Sequence, residues 1–224
     1  MMICPETFYE MNLKGKTAEQ IMTVIRGLKK EIGRLKNVME HPDYADAIKI
    51  CPSEDVRISC SRDYLERAKE ALEEAGGKYI PSAAERKAME FDYNIPYISK
   101  VEFCIGGYHN GYKTQTYTID GDEIQTNIEH PLILNQSETG EDEPEEMTKE
   151  YFLYSLEELH IGEWRKKYDT KRFGYTVCDG TQWHLEIYFS NGHKPVKICG
   201  DNAYPYNFDR LLSLFGSYYI FDKL

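Results

Sequence analysis

The spacing of hydrophobic positions changes once along this chain, near residue 90. Before that point apolar side chains recur at helical intervals; after it they alternate singly over short runs. Ile21, Val24, Ile25, Leu28, Ile32, Leu35 and Met39 form one stripe. It predicts a helix that opens at Thr17, where Thr17 and Gln20 fit a capping box, and stops near Glu40 before His41-Pro42. Such a stripe must be buried, most simply against the next helix. That helix is predicted over Arg62–Ala75, with Leu65, Ala68, Leu72 and Ala75 inward and Gly76-Gly77 as terminator. Residues 1–14 read as a lead-in segment, Ala47–Cys51 and Val56–Cys60 as short strands, and Ser82 with Glu85 as the cap of a short helix to Glu90.

Beyond Phe91 the pattern predicts strands over Tyr97–Tyr108, Tyr112–Ile119 and Ile124–Ile128, joined at Asn110-Gly111 and Asp120-Gly121 as a meander. Thr148–Tyr168 reads as helical, with Tyr151, Phe152, Leu156, Leu159 and Trp164 inward, and Phe173–Cys178 as a further strand. The clearest stretch is 181–216. Trp183, Leu185, Ile187 and Phe189 alternate with His184, Glu186 and Tyr188, and Asn191-Gly192 suits a two-residue turn. That turn sets Ile187 opposite Val196, Leu185 opposite Ile198, Glu186 opposite Lys197, His184 opposite Cys199 and Trp183 opposite Gly200. Asn207 is then placed to cap a helix with Phe208, Leu211, Leu212 and Phe215 on one face, ended by Gly216; the tail after it reads as an edge strand. The expected fold is α+β: a mainly helical region, 1–90, then a mainly antiparallel sheet of about five to seven strands with packed helices, 91–224.

Composition narrows the function. Net charge is −11, and it is uneven: residues 1–90 carry 15 basic and 16 acidic side chains, residues 91–224 carry 12 and 22. An acidic second region repels phosphate backbones, which argues against general nucleic-acid binding there. The run Glu138–Glu146 is expected to be a solvated loop. Six scattered cysteines without a C-x-x-C pair suggest reduced thiols. The first ten residues lack the features of a secretory leader, and no apolar run approaches the ~18 residues of a membrane span. A cytoplasmic protein is expected.

Chemistry is sparse at this level. Glu157 and His160 have the E-x-x-H spacing of di-iron bundles, but the motif occurs once, so no metal site or cofactor is predicted. The common hydrolase, nucleotide and zinc motifs are absent. A thiol nucleophile would pair Cys178 or Cys199 with His184 or His193, yet no orienting residue accompanies them, and no catalytic residue is assigned. The candidate binding residues are Arg26, Lys29, Lys30, Arg34 and Lys36, a cationic face opposite the apolar stripe of the first long helix.

Trp183-x-Leu185-x-Ile187, followed by Gly200-x-Asn202-Ala203-Tyr204-Pro205-x-Asn207-Phe208, resembles a pattern in uncharacterised proteins of Gram-positive gut bacteria. The helix pair around Ile21–Leu35 and Tyr64–Leu72 is similar to proteins carried on their mobile elements. The resemblance implies no activity and supplies no catalytic residues. The expectation is a non-enzymatic protein-interaction or regulatory module of a bacterial, mobile-element or phage system, with counter-defence as a special case. Its partner would be another protein or a second copy, with no membrane contact. The rivals are a cysteine-based hydrolase or transferase, and a regulator that contacts nucleic acid through the basic helix.

Overall fold

A computed structural model describes residues 3–45, 51–107, 111–129 and 147–216. The chain divides into two compact units, Met1–Ser82 and Ala83–Leu224. Together they make an α+β fold, with six α-helices and one six-stranded sheet among the described residues.

The first unit is helical: α1 (Pro5–Asn12), α2 (Ala18–Met39) and α3 (Glu54–Glu74). The capping box opens α2 as expected: the Gln20 N–H donates to Thr17 Oγ1, and the Thr17 N–H donates to Gln20 Oε1. Ile21, Ile25, Ile32 and Leu35 of its stripe are buried, and α2 packs against α3. The lead-in segment contains α1, which starts with Pro5 in its first turn, where the missing N–H costs nothing. It is held by tertiary contacts: Phe8 stacks on Tyr64 at 4.3 Å and Arg67 lies 3.9 Å from the Tyr9 ring centre. The strand expected over Val56–Cys60 is instead the first turns of α3. Within that segment only Ile58 is buried, and it continues at helical spacing into Ser61, Leu65, Ala68 and Leu72. The stripe therefore wins over a local alternation of three residues. The strand expected at Ala47–Cys51 falls largely outside the described residues. Gly76 (φ +76°) ends α3: its N–H donates to Glu73 O and that of Gly77 to Leu72 O, the paired bonds of a Schellman motif.

The second unit runs α4 (Ala83–Asn94), β1 (Ile98–Gly107), β2 (Gly111–Asp120), β3 (Glu123–Glu129), α5 (Lys149–Glu158), β4 (Lys167–Asp169), β5 (Thr181–Phe189), β6 (Val196–Asp201) and α6 (Phe208–Leu214). Strand order is β3-β2-β1-β5-β6-β4; every pair is antiparallel except β4 with β6. The meander β1-β2-β3 and the hairpin β5-β6 are as expected. Each cross-strand pair expected from the 191–192 turn is present, from Ile187–Val196 to Trp183–Gly200. The turn itself differs. Gly192 has φ +82° but Asn191 is not left-handed, and pairing stops at Ile187–Val196. Pro195, next in register, has no N–H to extend the ladder.

One face of this sheet buries Val101, Phe103, Ile105, Tyr117, Trp183, Leu185, Ile187 and Ile198 against Phe91, Phe152, Leu156, Leu211 and Phe215 of the helices. Helix α5 ends ten residues before the expected Tyr168, because His160 turns left-handed (φ +48°) and a 3₁₀ turn follows. Gly162 in that turn sits where a Cβ would lie 2.7 Å from Ala88 Cα, so the chain bends tightly over α4. Tyr151, expected inside, is 60% exposed, whereas Phe152, Leu156, Leu159 and Trp164 are buried. The strand expected at Phe173–Cys178 is absent; the sheet uses β4 instead, which carries Tyr168 into the core. Asn207 does not cap α6 with its side chain. It is buried and donates from Nδ2 to Leu159 O at 2.9 Å, tying the helix start to the end of α5. The acidic run Glu138–Glu146 and the tail lie outside the described residues.

Candidate site on the open face of the sheet

Alternation that turns Phe103, Ile105, Leu185 and Ile187 inward turns their neighbours outward. The outer face therefore carries Lys100, Glu102, Cys104 and Gly106 from β1; Gln182, His184, Glu186 and Tyr188 from β5; Lys197, Cys199 and Asp201 from β6; and Tyr112, Thr114 and Thr116 from β2. All but Cys104 and Gly106 are at least partly exposed.

Register sets these residues in rows. One row reads Thr114, Cys104, His184, Cys199; the next reads Thr116, Glu102, Glu186, Lys197. In the second, Lys197 Nζ lies 2.6 Å from Glu186 Oε2, and the Tyr188 hydroxyl donates to the same oxygen. The hydrogen bonds from Lys197 and Tyr188 hold the Glu186 carboxyl below its ordinary range. Lys100 lies over the Tyr188 ring, 4.3 Å from its centre. In the first row, burial alone would push the Cys104 thiol up, but hydrogen bonds with His184 and Thr114 outweigh it and leave the thiol below its ordinary value. His184 is moved the opposite way: the hydrogen bond with Cys104 raises it against the effect of burial, and Glu186 and Glu102 add to the rise. Beside this couple an open depression of about 320 Å³ lies between Tyr112, Lys167, Gln182, His184, Cys199 and Asp201.

The couple joins a thiol that sequence reasoning passed over. Cys199 is opposite His184 as expected, but it is exposed and its Sγ points to Lys166 O at 3.9 Å. Cys178 is exposed in the irregular segment after Gly174. His193 sits 3.2 Å from Glu90 and edge-on to Phe189. The alternation in β1 already turns Cys104 outward, but no turn links β1 to β5, so nothing local announces its neighbour. His160 of the E-x-x-H spacing lies past the end of α5, and among the described residues no group of three His, Cys, Asp or Glu side chains is arranged to hold a metal ion.

The cationic residues of α2 share a helix but not a fate. Arg34 makes two 2.8 Å hydrogen bonds to Glu31, which also takes Arg57 of α3 at 2.9 Å. Lys29 donates to the Tyr79 hydroxyl at 3.0 Å. Lys36 is half-buried, while Arg26 and Lys30 are exposed. The stretch Gly200–Phe208 is scaffold. Gly200 lies under the Trp183 indole, whose Nε1 donates to Ala203 O at 3.0 Å, and Asn202 Oδ1 accepts from the Thr181 N–H at 2.8 Å. No protein-family model matches the chain, and no curated protein or solved structure matches it significantly. Among the described residues no helix is long and apolar enough to cross a membrane.

Proposed function

We propose that the chain is a non-enzymatic interaction module that binds another protein through the open face of its sheet. The observation that carries this reading is the charge order of that face. Glu102 and Glu186 lie side by side on neighbouring strands with Lys100 and Lys197 flanking them, so both signs are present across three strands, with Tyr112 and Tyr188 on the same face. Central carboxylates repel a polyanion, and flanking lysines repel a polycation; a folded protein surface of both signs is the complementary partner. Tyrosine supplies contact area at small entropic cost. The resemblance to gut-bacterial, mobile-element proteins makes a cytoplasmic bacterial regulator, with counter-defence as one case, the setting in which such a module would work.

The nucleic-acid alternative draws less support, since Glu31 answers two of the arginines near that face. The test is site-specific photocrosslinking in the producing cells. Benzoylphenylalanine in place of Tyr188 should yield one discrete adduct, lost when Glu102→Lys and Lys197→Glu are added. Adducts from a probe at Lys30 and none from Tyr188 would move the contact surface to α2 and overturn the reading.

A further inference from the structure

We propose that Cys104 is a redox modification site, a thiol set to be oxidised to its sulfenic acid by a small hydroperoxide, with His184 as proton acceptor and Thr114 as second hydrogen-bonding partner. The site stands on the strand register. Cys104 is directly opposite Thr114 on one side and His184 on the other, which sets all three side chains in one row on the same face of the sheet. This arrangement is independent of whether the face binds a partner.

Access selects the reagent. Cys104 is 5% exposed, yet it lies on the sheet face away from the helices of its unit. The next residue of β1 on that face is Gly106, where the backbone of Gly111 and Tyr112 takes the place of a side chain. Over Gly106 the Tyr112 hydroxyl donates to Gln182 Oε1 at 2.8 Å, and the depression beside it reaches His184. The depression stops at His184 without reaching Cys104, so burial of this degree selects a reagent as small as hydrogen peroxide and excludes a macromolecular electrophile. The exposed Cys178 and Cys199 have the access without that polar pair.

The step balances with the groups present. The thiol proton passes to His184, and the thiolate sulfur attacks one peroxide oxygen. An S–O bond forms as the O–O bond breaks; sulfur loses two electrons and the peroxide is reduced. The imidazolium proton leaves with the departing hydroxide as water. The charged groups facing the couple divide by strand: Glu102 on β1 opposes the thiolate, while Glu186 on β5, tied to Lys197 of β6, favours the imidazolium. Cys199 is two strands from Cys104, about 10 Å at ordinary strand spacing, which exceeds the ~7 Å limit for closing a disulfide. The product therefore stays a sulfenic acid until a small thiol reaches it.

The experiment treats the full chain with equimolar hydrogen peroxide and dimedone at pH 7 and maps all six cysteines by peptide mass spectrometry. Cys104 should be trapped before Cys178 and Cys199. Its alkylation by iodoacetamide should show a pH midpoint below the ordinary ~8.5 of a thiol. His184→Gln should raise that midpoint and slow trapping at pH 7 by about tenfold for each pH unit moved. Thr114→Val, which keeps the histidine, should raise the midpoint by less. Oxidation of Cys178 and Cys199 with Cys104 untouched overturns the proposal. So does an unchanged midpoint in folded His184→Gln, or in Thr114→Val should the histidine variant fail to fold.

Discussion

Substituting Gly200 by alanine tests how the sheet and α6 are locked together. A Cβ at this position would overlap the Trp183 indole and lie 2.6 Å from the Ala203 carbonyl oxygen. The indole has nowhere to go: it is 2% exposed, with Phe208 at 4.8 Å and Tyr168 at 5.8 Å between ring centres. Overpacking of this kind costs about 1–3 kcal/mol. Displacing the indole also strains or breaks its hydrogen bond to Ala203, for about 1 kcal/mol more. The expected loss is about 2–4 kcal/mol, read as a fall of roughly 5–15 °C in the melting temperature of a unit this size. Urea unfolding followed by tryptophan fluorescence measures it directly, since the chain has only two tryptophans and both are buried. Trp183→Phe removes the indole nitrogen from the conflict but leaves the Ala203 carbonyl oxygen, so Gly200→Ala should still destabilise in that background, by at least about 1 kcal/mol less than in the parent. A Gly200→Ala protein within ~0.5 kcal/mol of the parent, or a cost unchanged by phenylalanine at 183, would refute the seating of the indole on this glycine.

Three further outcomes follow from named contacts. Gly27→Ala and Gly33→Ala should each stabilise α2 by about 0.5–1 kcal/mol, because an added Cβ meets nothing within 4 Å at either site; a lower melting temperature in either would mean a hidden neighbour. Gly162→Ala should destabilise by about 1–3 kcal/mol, since its Cβ would press on Ala88 backbone; unchanged urea unfolding would refute the tight turn over α4. Hydrogen bonds and charge from Arg34, with Arg57 adding, hold the Glu31 carboxyl below its ordinary value of 4.5. Its contribution is therefore complete above pH 4.5 and is lost as pH falls through the lowered value of the folded state. With Glu31 about a third exposed, that contribution is about 0.2–1 kcal/mol. Glu31→Gln should flatten this part of the stability–pH curve, and an unaltered slope would remove the ion pair from the account.

Local signals in this sequence carried far, and their failures have physical causes. The hairpin register was readable because Asn191-Gly192 and a strict alternation agree, although the turn is not the two-residue form. Val56–Cys60 misled because three alternating residues mimic a strand until Ile58 is joined to Leu65 and Leu72 beyond them. Asn207 had the right residue type and place for a cap, yet Leu159 O, 48 positions earlier, takes its amide. Helix α5 is shorter than its apolar spacing predicts because nothing at His160 announces a left-handed residue. The Cys104–His184 couple is hidden from sequence reasoning for the same reason as the partner of Asn207. Cys104 and His184 are 80 positions apart, and only the pairing of β1 with β5 makes them neighbours. The cationic face of α2 was visible as a pattern, but Arg57, which competes for Glu31, comes from another helix.

The strand order has a kinetic corollary. β1-β2-β3 and β5-β6 are each built from short-range pairings, and both can zip soon after their turns close. The seam between β1 and β5 joins residues that are far apart in the chain, so its loop-closure entropy must be met before any of its contacts repay it. That seam should be the late event in refolding of the second unit. Cys104 and His184 face each other across it, and the thiol acquires its shifted ionisation only when it closes. The rate at which Cys104 turns reactive after dilution from urea is thus a clock for assembly of the sheet, readable at a single sulfur atom.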